Sequence, residues 1–385
     1  MPPPGLESLA PMSSPSSRRR VAVALSGGVD SAVTAALLHA EGFDVIALTM
    51  DLGPASAGAV RDARRICDHL GLEHHVLNLA ARFQESVVGP FADSYAEGQT
   101  PLPCAVCNRE VKFGTLLEAA RDKGADLLAT GHYVRLSDGP EGPCLRRALD
   151  THRDQSYFLF ALPRAVLGSL RFPLGAMPGK DETRALAGRL GLPVERKPDS
   201  QDLCFCPQGD HASLVARLRP DASQPGPIVD TTGRVLGEHR GLIHHTVGQR
   251  RGLGLGGGPP LYVVALEPEG RRVVVGPREA LACRSFGLRA LNWLGPGPGP
   301  ALNGTPVRVK IRNAAPPVAA TVHPLPAGSA GGLDARVDLE TPAFGVAPGQ
   351  AAVFYGPDED TGAWMMGGGW ITPPAGPLPT PAAPA

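Results

Sequence analysis

Short apolar segments alternate with helix-like segments through the first half of the chain. Residues 21–25 (VAVAL) are fully apolar, as a buried parallel strand is, and the helix-like stretch that follows is closed by Gly42. The pattern then predicts strands over 44–50, 74–79 and 126–133, and helices over 59–70, 82–96 and 108–121, with a turn-rich loop before the last helix. This alternation predicts an α/β domain, a Rossmann-like parallel sheet covered by helices on both faces.

The second half of the chain follows a different pattern. Residues 222–280 are rich in glycine and proline and include short apolar strands such as 261–266. Residues 284–371 contain VRVKIRN, ARVDLE and AAVFYG, short alternating segments divided by glycine and proline. Such segments are typical of a small β-barrel or sandwich, and a C-terminal β-barrel is the prediction.

A chain of 385 residues is too long for one ordinary core, so several domains are expected. The predicted organisation is an α/β domain over 20–215, a small central domain over 216–282 and a β-barrel over 283–371. The proline-rich arm (1–19) and tail (372–385) are expected to be disordered. The arm has no secretory h-region, and no apolar run reaches the ~18 residues of a membrane span, so the expected location is the cytoplasm.

The string SGGVDS (26–31) lies between the first predicted strand and the first helix. Its two glycines let backbone N–H groups approach an anion closely, and the helix start adds free donors and partial positive charge. Ser26 and Ser31 add hydroxyl groups, and Asp30 is a candidate Mg²⁺ ligand among phosphates. No G-K-[ST] is present, so this is not a Walker loop, and a plain capped turn is the alternative.

A second glycine motif does not predict a nucleotide site. Residues 252–257 match G-x-G-x-x-G formally, but they precede Pro259-Pro260 and a strand. A dinucleotide loop must instead follow a strand and open a helix.

Seven unevenly spaced cysteines argue against a secreted disulfide scaffold. Cys104 and Cys107 form a C-x-x-C, and Cys204 and Cys206 form a C-x-C, which favours redox, metal or catalytic roles. Cys107 directly precedes the helix predicted to start at Asn108, where a thiolate is favoured, and Arg109 and Lys112 add positive charge. Cys67, Cys144 and Cys283 are expected to be small buried hydrophobic side chains.

Longer strings identify a family. SGGVDS resembles the pyrophosphatase loop of the adenine nucleotide α-hydrolase superfamily. The strings GQTPLPCAVCNREVKFG (98–114), DLLATGHYVR (126–135), RDQSYFLF (153–160), DSQDLCF (199–205), GEHRGLIHHTVGQRRGLGLGG (237–257) and PGQAAVFYG (348–356) follow in order. Together they closely resemble the bacterial tRNA-specific 2-thiouridylases over residues 20–370.

The resemblance implies ATP-dependent activation of a wobble uridine, thiolation from a sulfur-relay donor protein, and a monomeric enzyme that binds tRNA. By position, Cys107 matches the family's nucleophile and Cys204 its persulfide carrier. The matching ATP positions are Ala24, Leu25, Ser26, Gly27, Gly28, Val29, Asp30, Ser31, Met50 and Gly131. Positions that meet tRNA are His132, Arg153, Asp154, Gln155, Lys310, Ile311 and Gln350, and those that meet the target base are Leu102, Pro103 and Cys104.

Cys104 departs from the better-known members, which carry an aspartate there that is thought to assist proton transfer. A thiol, with a pKa of ~8.5, is a poorer base at neutral pH. Either another group serves as the base, or Cys104, Cys107 and Cys204 hold an iron–sulfur cluster with one open iron. A four-cysteine zinc site is less compatible, because Cys206 is too close to Cys204 to be a comfortable fourth ligand.

Other readings stay open from the residues alone. An amidating or ligating enzyme on the same ATP domain needs a nitrogen nucleophile and has no use for paired cysteines, and a non-catalytic RNA-binding module does not need an intact loop. Lys+Arg and Asp+Glu are equal at 37, so RNA must be held by local patches. Arg308, Lys310 and Arg312 alternate and are either phosphate contacts or a solvated face. His244 and His245 diverge as neighbours and are expected to be structural or RNA-facing.

Overall fold

The computed structural model describes residues 19–139, 141–195, 197, 203–206, 210–256, 258–301, 303–357 and 364–373. The predicted arm and tail lie almost wholly outside this part of the chain. The chain divides into two compact units. The first comprises Met1–Ser86, Cys104–Phe205 and Ala363–Met365, and the second comprises Val87–Pro103, Cys206–Gly362 and Met366–Ala385.

The first unit is built on a five-stranded parallel sheet of order β3-β2-β1-β4-β7. Its strands are β1 (Arg20–Ala24), β2 (Asp44–Asp51), β3 (Glu73–Asn78), β4 (Leu127–Ala129) and β7 (Leu170–Arg171). β1 pairs with β2 from Arg20↔Asp44 to Ala24↔Leu48 and with β4 from Val21↔Leu127 to Val23↔Ala129. The predicted α/β class is confirmed. The fourth strand is shorter than predicted, because the chain leaves the sheet after Ala129 to form a loop.

Helices cover the sheet of this unit. They are α1 (Val29–Ala40), α2 (Ala57–Leu70), α3 (Ala80–Phe83), α6 (Leu116–Asp122) and α7 (Lys180–Arg189), and a hairpin of β5 (Val134–Gly139) and β6 (Gly142–Arg147) follows β4. α1 buries Val29, Val33 and Leu38 among the side chains of β1 and β2. Gly42 and Gly71 adopt left-handed φ of 87° and 68° just after α1 and α2, which explains why glycine ends both helices.

The region before residue 108 corrects the sequence prediction. Instead of a loop, α5 begins at Pro103 and ends at Cys107, and a π-helical segment, Asn108–Thr115, continues it to α6. Proline at a first helical position needs no N–H partner, so Pro103 starts the helix where it was expected to extend the loop. A second π-helical segment, Gln84–Val88, joins α3 to α4 (Gly89–Ala96).

The second unit contains two β structures. A four-stranded sheet has the order β10-β11-β8-β9, formed by β8 (Gly226–Asp230), β9 (Val235–His239), β10 (Tyr262–Glu267) and β11 (Arg272–Gly276). A closed barrel has the order β12-β15-β14-β13-β16-β17, formed by β12 (Ala282–Trp293), β13 (Thr305–Lys310), β14 (Val318–Pro324), β15 (Ala335–Phe344), β16 (Ala351–Tyr355) and β17 (Met365–Ile371). The predicted C-terminal barrel is confirmed, and α8 (His211–Leu218) precedes the sheet.

Within the described residues, no helix combines the length and the apolar character that crossing a membrane requires.

Candidate nucleotide and thiol site

The carboxyl ends of β1, β2 and β4 bring the predicted nucleotide residues to one edge of the sheet. β1 lies between β2 and β4, and the chain proceeds from β1 towards β3 on one side before returning to β4 on the other. Ligands of open α/β sheets bind in the crevice at such a switch point. Ser26–Asp30 follow β1 and Gly131 follows β4, so the two loops flank this crevice, and Met50 lies at the end of β2.

The glycine loop requires its first glycine. Gly27 has a φ of 70°, and a Cβ there would lie 2.5 Å from the carbonyl oxygen of Ala59 and 2.9 Å from the Cβ of Asp62. The loop therefore packs directly on α2. Gly28 is the N-cap of α1, and no side chain caps the N-terminal donors of that helix. Uncapped first-turn N–H groups are suited to binding an anion.

Ser31 holds the loop in shape. Its hydroxyl donates to the carbonyl oxygen of Gly28 at 3.0 Å and accepts from the backbone N–H of Ser26 at 3.2 Å. The two serine hydroxyl oxygens are also 3.2 Å apart. Ser31 is 4% exposed, so it supports the loop from beneath, whereas Ser26 is exposed.

Asp30 is engaged by the protein itself. Lys180 Nζ lies 2.7 Å from Oδ1 and 2.8 Å from Oδ2 of Asp30, and the Tyr133 hydroxyl donates to Oδ1 at 3.0 Å. The same hydroxyl is 2.9 Å from Thr183 Oγ1. A carboxylate neutralised by a lysine on both oxygens does not fit a direct Mg²⁺ ligand, so no step below is routed through a metal at Asp30.

Gly131 closes the other side of the crevice. A Cβ at this position would lie 2.8 Å from the carbonyl carbon of Asp30 and 2.9 Å from the nitrogen of Ser31. The loop after β4 thus packs against the start of α1, which only glycine allows.

Lys197 is a loop residue that the sequence analysis missed. Its Nζ donates to the carbonyl oxygen of Gly27 at 2.9 Å and to Asp62 Oδ2 at 2.6 Å. A single lysine in a proline-containing segment carries no sequence signal for this contact, because only the fold brings it to a loop 170 positions earlier.

Cys104, Cys107 and Cys204 are brought together in the first unit. Cys104 and Cys204 are exposed at the surface and Cys107 is 9% exposed. Burial raises the pKa of Cys107 to about 11, Lys112 acts to lower it, and the neighbouring Cys204 and Cys104 raise it. Surrounding protein also raises the pKa of Cys104 and of Cys204, and these two thiols act on each other.

The expected activation of Cys107 by a helix start is wrong. Cys107 ends α5 and the helical path continues through it, so its thiol is not at the first turn of a helix. Arg109 donates to Glu110 Oε1 at 2.8 Å, and its charge is shared there. Lys112 is the cation that acts on all three thiols and lowers each pKa.

The three thiols do not form a ready metal site. Across the part of the chain that the structure describes, no three His, Cys, Asp or Glu side chains are grouped to hold a metal ion. Three soft sulfur donors are chemically suitable for iron, but the described arrangement is not that of assembled ligands, so a cluster enters no step of the mechanism below.

His132 lies beside the thiols in an aromatic environment. Its ring is 5.9 Å from that of Phe113 and 6.3 Å from that of Phe172, and its Nδ1 is 2.7 Å from Thr130 Oγ1. Burial and the nearby charge of Lys112 hold the pKa of His132 well below its usual value. The imidazole is therefore neutral at physiological pH.

The three residues 153–155 differ in their surroundings. Arg153 is exposed and lies close enough to Tyr133 to lower the pKa of its hydroxyl, although burial, the larger effect, raises it. Asp154 has a fully buried carboxylate that accepts from Arg147 Nε at 3.1 Å and from the Ser156 hydroxyl at 3.0 Å. Gln155 Oε1 accepts from the N–H of Tyr133 at 2.9 Å. Only Arg153 presents a side chain suited to RNA in this arrangement.

The other predicted RNA positions lie in or at the edge of the second unit. Gln350 Nε2 donates to the carbonyl oxygen of Thr100 at 2.9 Å, just before half-buried Leu102 and buried Pro103. Lys310 and Ile311 are 4% and 7% exposed. Arg312 donates to the carbonyl oxygens of Gly345 and Val247 at 2.6 and 3.3 Å, so it has a structural role.

The remaining candidates are structural. Cys67 and Cys144 are buried, and burial raises the pKa of Cys67 to about 12. Cys283 is partly buried and donates to the carbonyl oxygen of Ser285. Burial lowers the pKa of His245 to about 4, so this imidazole is neutral. In the 252–257 motif, Gly252 and Gly254 have positive φ, and no helix follows among the described residues before β10.

Three family models match consecutive parts of the chain. They are described as a tRNA methyl transferase HUP domain (residues 19–208), a tRNA methyl transferase PRC-barrel domain (215–277) and an aminomethyltransferase beta-barrel domain (283–371). Sheet, glycine loop and barrel thus define the chain as a three-module protein built on a HUP nucleotide-binding domain.

Curated relatives match over nearly the whole chain. The tRNA-specific 2-thiouridylase MnmA of Rhodospirillum rubrum is 58% identical over 377 residues, which cover 94% of this chain and 99% of the relative. The protein of the same description from Dinoroseobacter shibae is 51% identical over 380 residues, covering 96% and 97%. The chain belongs to the tRNA-specific 2-thiouridylase family, and the predicted enzyme class, a tRNA sulfurtransferase, is confirmed.

Similarity to solved structures is lower. A 4-thiouridine synthetase in complex with RNA and ATP has a TM-score of 0.33 and 17% identity, covering 53% of this chain and 51% of that chain. At that level it carries no argument about this protein.

Proposed function

We propose that this protein adenylates the C2 oxygen of the wobble uridine of tRNA with ATP and replaces that oxygen with sulfur from a persulfide on Cys204. The observation that carries the proposal is that one compact unit holds both an uncapped glycine loop and a group of three thiols. The loop is suited to the activating nucleotide, and the thiols are suited to sulfur delivery.

ATP is proposed to bind along residues 24–31, with Met50 and Gly131 on either side of the loop. The free N–H groups at the start of α1 favour the negative charge of the phosphates. Lys180 neutralises Asp30, so the carboxylate in the loop does not oppose the phosphates. Mg²⁺ commonly accompanies ATP phosphates with few protein ligands, and Asp30 is not required as one of them.

The uridine must leave its stack before C2 can be reached, as bases do in other base-modifying enzymes. Its C2 oxygen attacks the α-phosphorus of ATP, the bond to pyrophosphate breaks, and an adenylated uridine forms with loss of a proton. His132, neutral and flanked by Phe113 and Phe172, provides an aromatic surface for the extruded base. The loop at Leu102, Pro103 and Cys104 is the proposed contact on its other side.

Sulfur transfer then uses two thiols. The terminal sulfur of the Cys204 persulfide attacks C2, the C2–O bond breaks and AMP leaves. Cys107 next attacks the Cys204 sulfur of the mixed disulfide, so the S–S bond to the base breaks and 2-thiouridine is released. In the variant order, Cys107 first frees hydrosulfide from the persulfide, and the hydrosulfide attacks C2. Both orders leave a Cys107–Cys204 disulfide, which an external thiol reductant must reduce before the next turnover.

Lys112 supports these steps electrostatically. With the pKa of Cys107 raised to about 11, few of its thiols are ionised at neutral pH. The positive charge of Lys112 favours the thiolate at all three cysteines. Cys104 takes no obligatory part in this scheme and serves as an auxiliary acid or base.

An iron–sulfur cluster on Cys104, Cys107 and Cys204 is the alternative chemistry. The three sulfur donors favour it, whereas the absence of a grouped ligand set among the described residues opposes it. The persulfide scheme needs no further cofactor and is the one we adopt.

The proposed partners are tRNA, a protein that loads sulfur onto Cys204, and no membrane. A monomer acting in the cytoplasm is consistent with this role. The RNA is held by local cations, foremost Arg153, because Lys+Arg and Asp+Glu balance.

Purified protein, ATP, tRNA and sulfide test this proposal directly. We expect one AMP and one pyrophosphate per 2-thiouridine, and no 2-thiouridine when either ATP or tRNA is omitted. An amidating relative would give AMP and pyrophosphate with ammonia instead of sulfide, and a non-catalytic RNA-binding protein would bind tRNA without using ATP.

A further inference from the structure

Lys197 connects the glycine loop to α2. Its Nζ donates to the carbonyl oxygen of Gly27 at 2.9 Å and to the carboxylate of Asp62 at 2.6 Å. The Lys197 and Asp62 side chains are 38% and 26% exposed. Because Gly27 belongs to the proposed phosphate loop, the position of Lys197 depends directly on the conformation of that loop.

The backbone around Lys197 is also fixed. Arg184 Nη1 donates to the carbonyl oxygens of Glu195 and Lys197 at 3.0 and 3.1 Å. Arg184 belongs to α7, whose first residue, Lys180, holds Asp30 at the start of α1. α7 and Lys197 therefore contact the nucleotide loop at two separate points, Asp30 and Gly27.

Cys204 follows Lys197 by only a short length of chain. At ~3.5 Å per residue, seven residues span at most ~25 Å, so a fixed Lys197 limits where Cys204 can lie. On the other side of Cys204, the ring of Phe205 packs edge-on against that of Phe83 at 5.6 Å. Residues 198–202 lie outside the described part of the chain, and this argument uses only their number.

We propose that Lys197 is a positioning residue that links the nucleotide loop to the sulfur-carrying segment, so that the placement of Cys204 beside Cys107 depends on the state of the loop. The sulfur role of Cys204 rests on the proposed function, but the placement itself does not. Two other roles make different predictions. Lys197 would merely cancel the charge of Asp62 near the phosphates, or it would merely stabilise the fold.

The test compares Lys197→Met with the Lys197→Met/Asp62→Asn double variant, in full-length protein. Arg65→Met is the matched control, because Arg65 is a 65% exposed cation that also faces Asp62, at 3.8 Å. The first measurement is the rate of Cys107–Cys204 disulfide formation with oxidised glutathione, with and without ATP, followed by mass spectrometry. The second is the amount of 2-thiouridine formed per AMP released.

Lys197→Met is expected to slow disulfide formation about tenfold, abolish its response to ATP and lower 2-thiouridine per AMP about tenfold, effects of the size expected when a reacting group is misplaced. The double variant should bind ATP as the wild type does, because the charge of Asp62 is gone, yet keep the disulfide defect. Lys197→Arg should restore much of the disulfide rate, and Arg65→Met should match the wild type.

Wild-type disulfide kinetics in Lys197→Met would overturn the proposal. Recovery of those kinetics in the double variant would assign Lys197 to charge cancellation alone. Equal losses of melting temperature, ATP binding and disulfide rate, with no rescue by Lys197→Arg, would assign it to the fold. If the wild type forms the disulfide but no 2-thiouridine, the proposed function fails while the disulfide measurement still decides the role of Lys197.

Discussion

Lys180 Nζ lies 2.7 and 2.8 Å from the two carboxylate oxygens of Asp30, which joins the first residue of α7 to the first turn of α1 across 150 positions of sequence. Lys180 is 7% exposed, so water screens this pair little. The pair balances the only charge that the SGGVDS string carries and leaves the backbone donors of the loop to the nucleotide.

The Asp30–Lys180 pair predicts strong coupling between the two residues. Lys180→Met leaves a largely buried carboxylate without its cation and should reduce the free energy of unfolding by ~3 kcal/mol, as when one partner of a buried pair is removed. Asp30→Asn should cost a similar amount, and the double variant should lose clearly less than the sum. Urea unfolding of the four proteins measures this coupling.

The same variants decide the metal question. If the charge balance is what matters, the Asp30→Asn/Lys180→Met protein should regain ATP–pyrophosphate exchange relative to Asp30→Asn. A double variant that folds normally but has no exchange would show that Asp30 is needed for itself, as a Mg²⁺ ligand is.

Lys112 predicts a pH effect on thiol reactivity. Burial raises the pKa of Cys107 to about 11 and Lys112 opposes this, so the thiolate fraction and the alkylation rate should rise with pH up to that region. Lys112→Met should raise the pKa further and slow alkylation at pH 8 by ~3- to 10-fold, since one pKa unit is a factor of ten. Iodoacetamide labelling followed by mass spectrometry measures it.

Arg109→Met is the matched control, because Arg109 lies on the same helical segment but is paired with Glu110. Equal shifts of the pH profile in both variants would remove the specific role of Lys112.

Cys104 separates the two sulfur chemistries. In the persulfide scheme, Cys104→Asp introduces the commoner family residue and should keep or raise thiolation activity. In the cluster scheme, a hard carboxylate replaces a soft ligand, and iron and activity should fall together. Iron and sulfide assays after anaerobic purification, compared with activity across Cys104 variants, distinguish the two. Iron near one cluster per chain that tracks activity would contradict the scheme adopted above.

RNA binding should depend on Arg153 more than on Lys310. Arg153 is exposed, so Arg153→Ala should weaken tRNA binding and reduce the log–log salt slope by ~0.7–0.9, the contribution of one phosphate contact. Lys310 is 4% exposed, and Lys310→Met should leave that slope unchanged. A lower slope with Lys310→Met and not with Arg153→Ala would reverse this assignment. Filter binding at several salt concentrations measures both.

The elements with the clearest periodicity could be predicted from the sequence. VAVAL and the segment after SGGVDS form β1 and α1, and the segments VRVKIRN, ARVDLE and AAVFYG contribute strands β13, β15 and β16 to the closed barrel. Local patterns were sufficient there because each strand buries one face, and each helix one side, in its own unit.

Contacts between distant parts of the chain could not be predicted. The pairing of Asp30 with Lys180, and of Gly27 with Lys197, spans 150 and 170 positions and depends on how α7 packs. The helix start at Pro103 was missed because proline and glycine before it indicated a loop, whereas proline at a first helical position is compatible with both.

The central claim is tested most directly by a single turnover of protein whose Cys204 has been loaded with ³⁵S-labelled persulfide, mixed with ATP and unmodified tRNA. The account predicts that the label appears in 2-thiouridine with one AMP released and one Cys107–Cys204 disulfide formed. Cys204→Ser should still release pyrophosphate and form the adenylate, but should yield no labelled base. Labelled 2-thiouridine from Cys204→Ser, or wild-type turnover that releases AMP and leaves the label on the protein, would contradict the account.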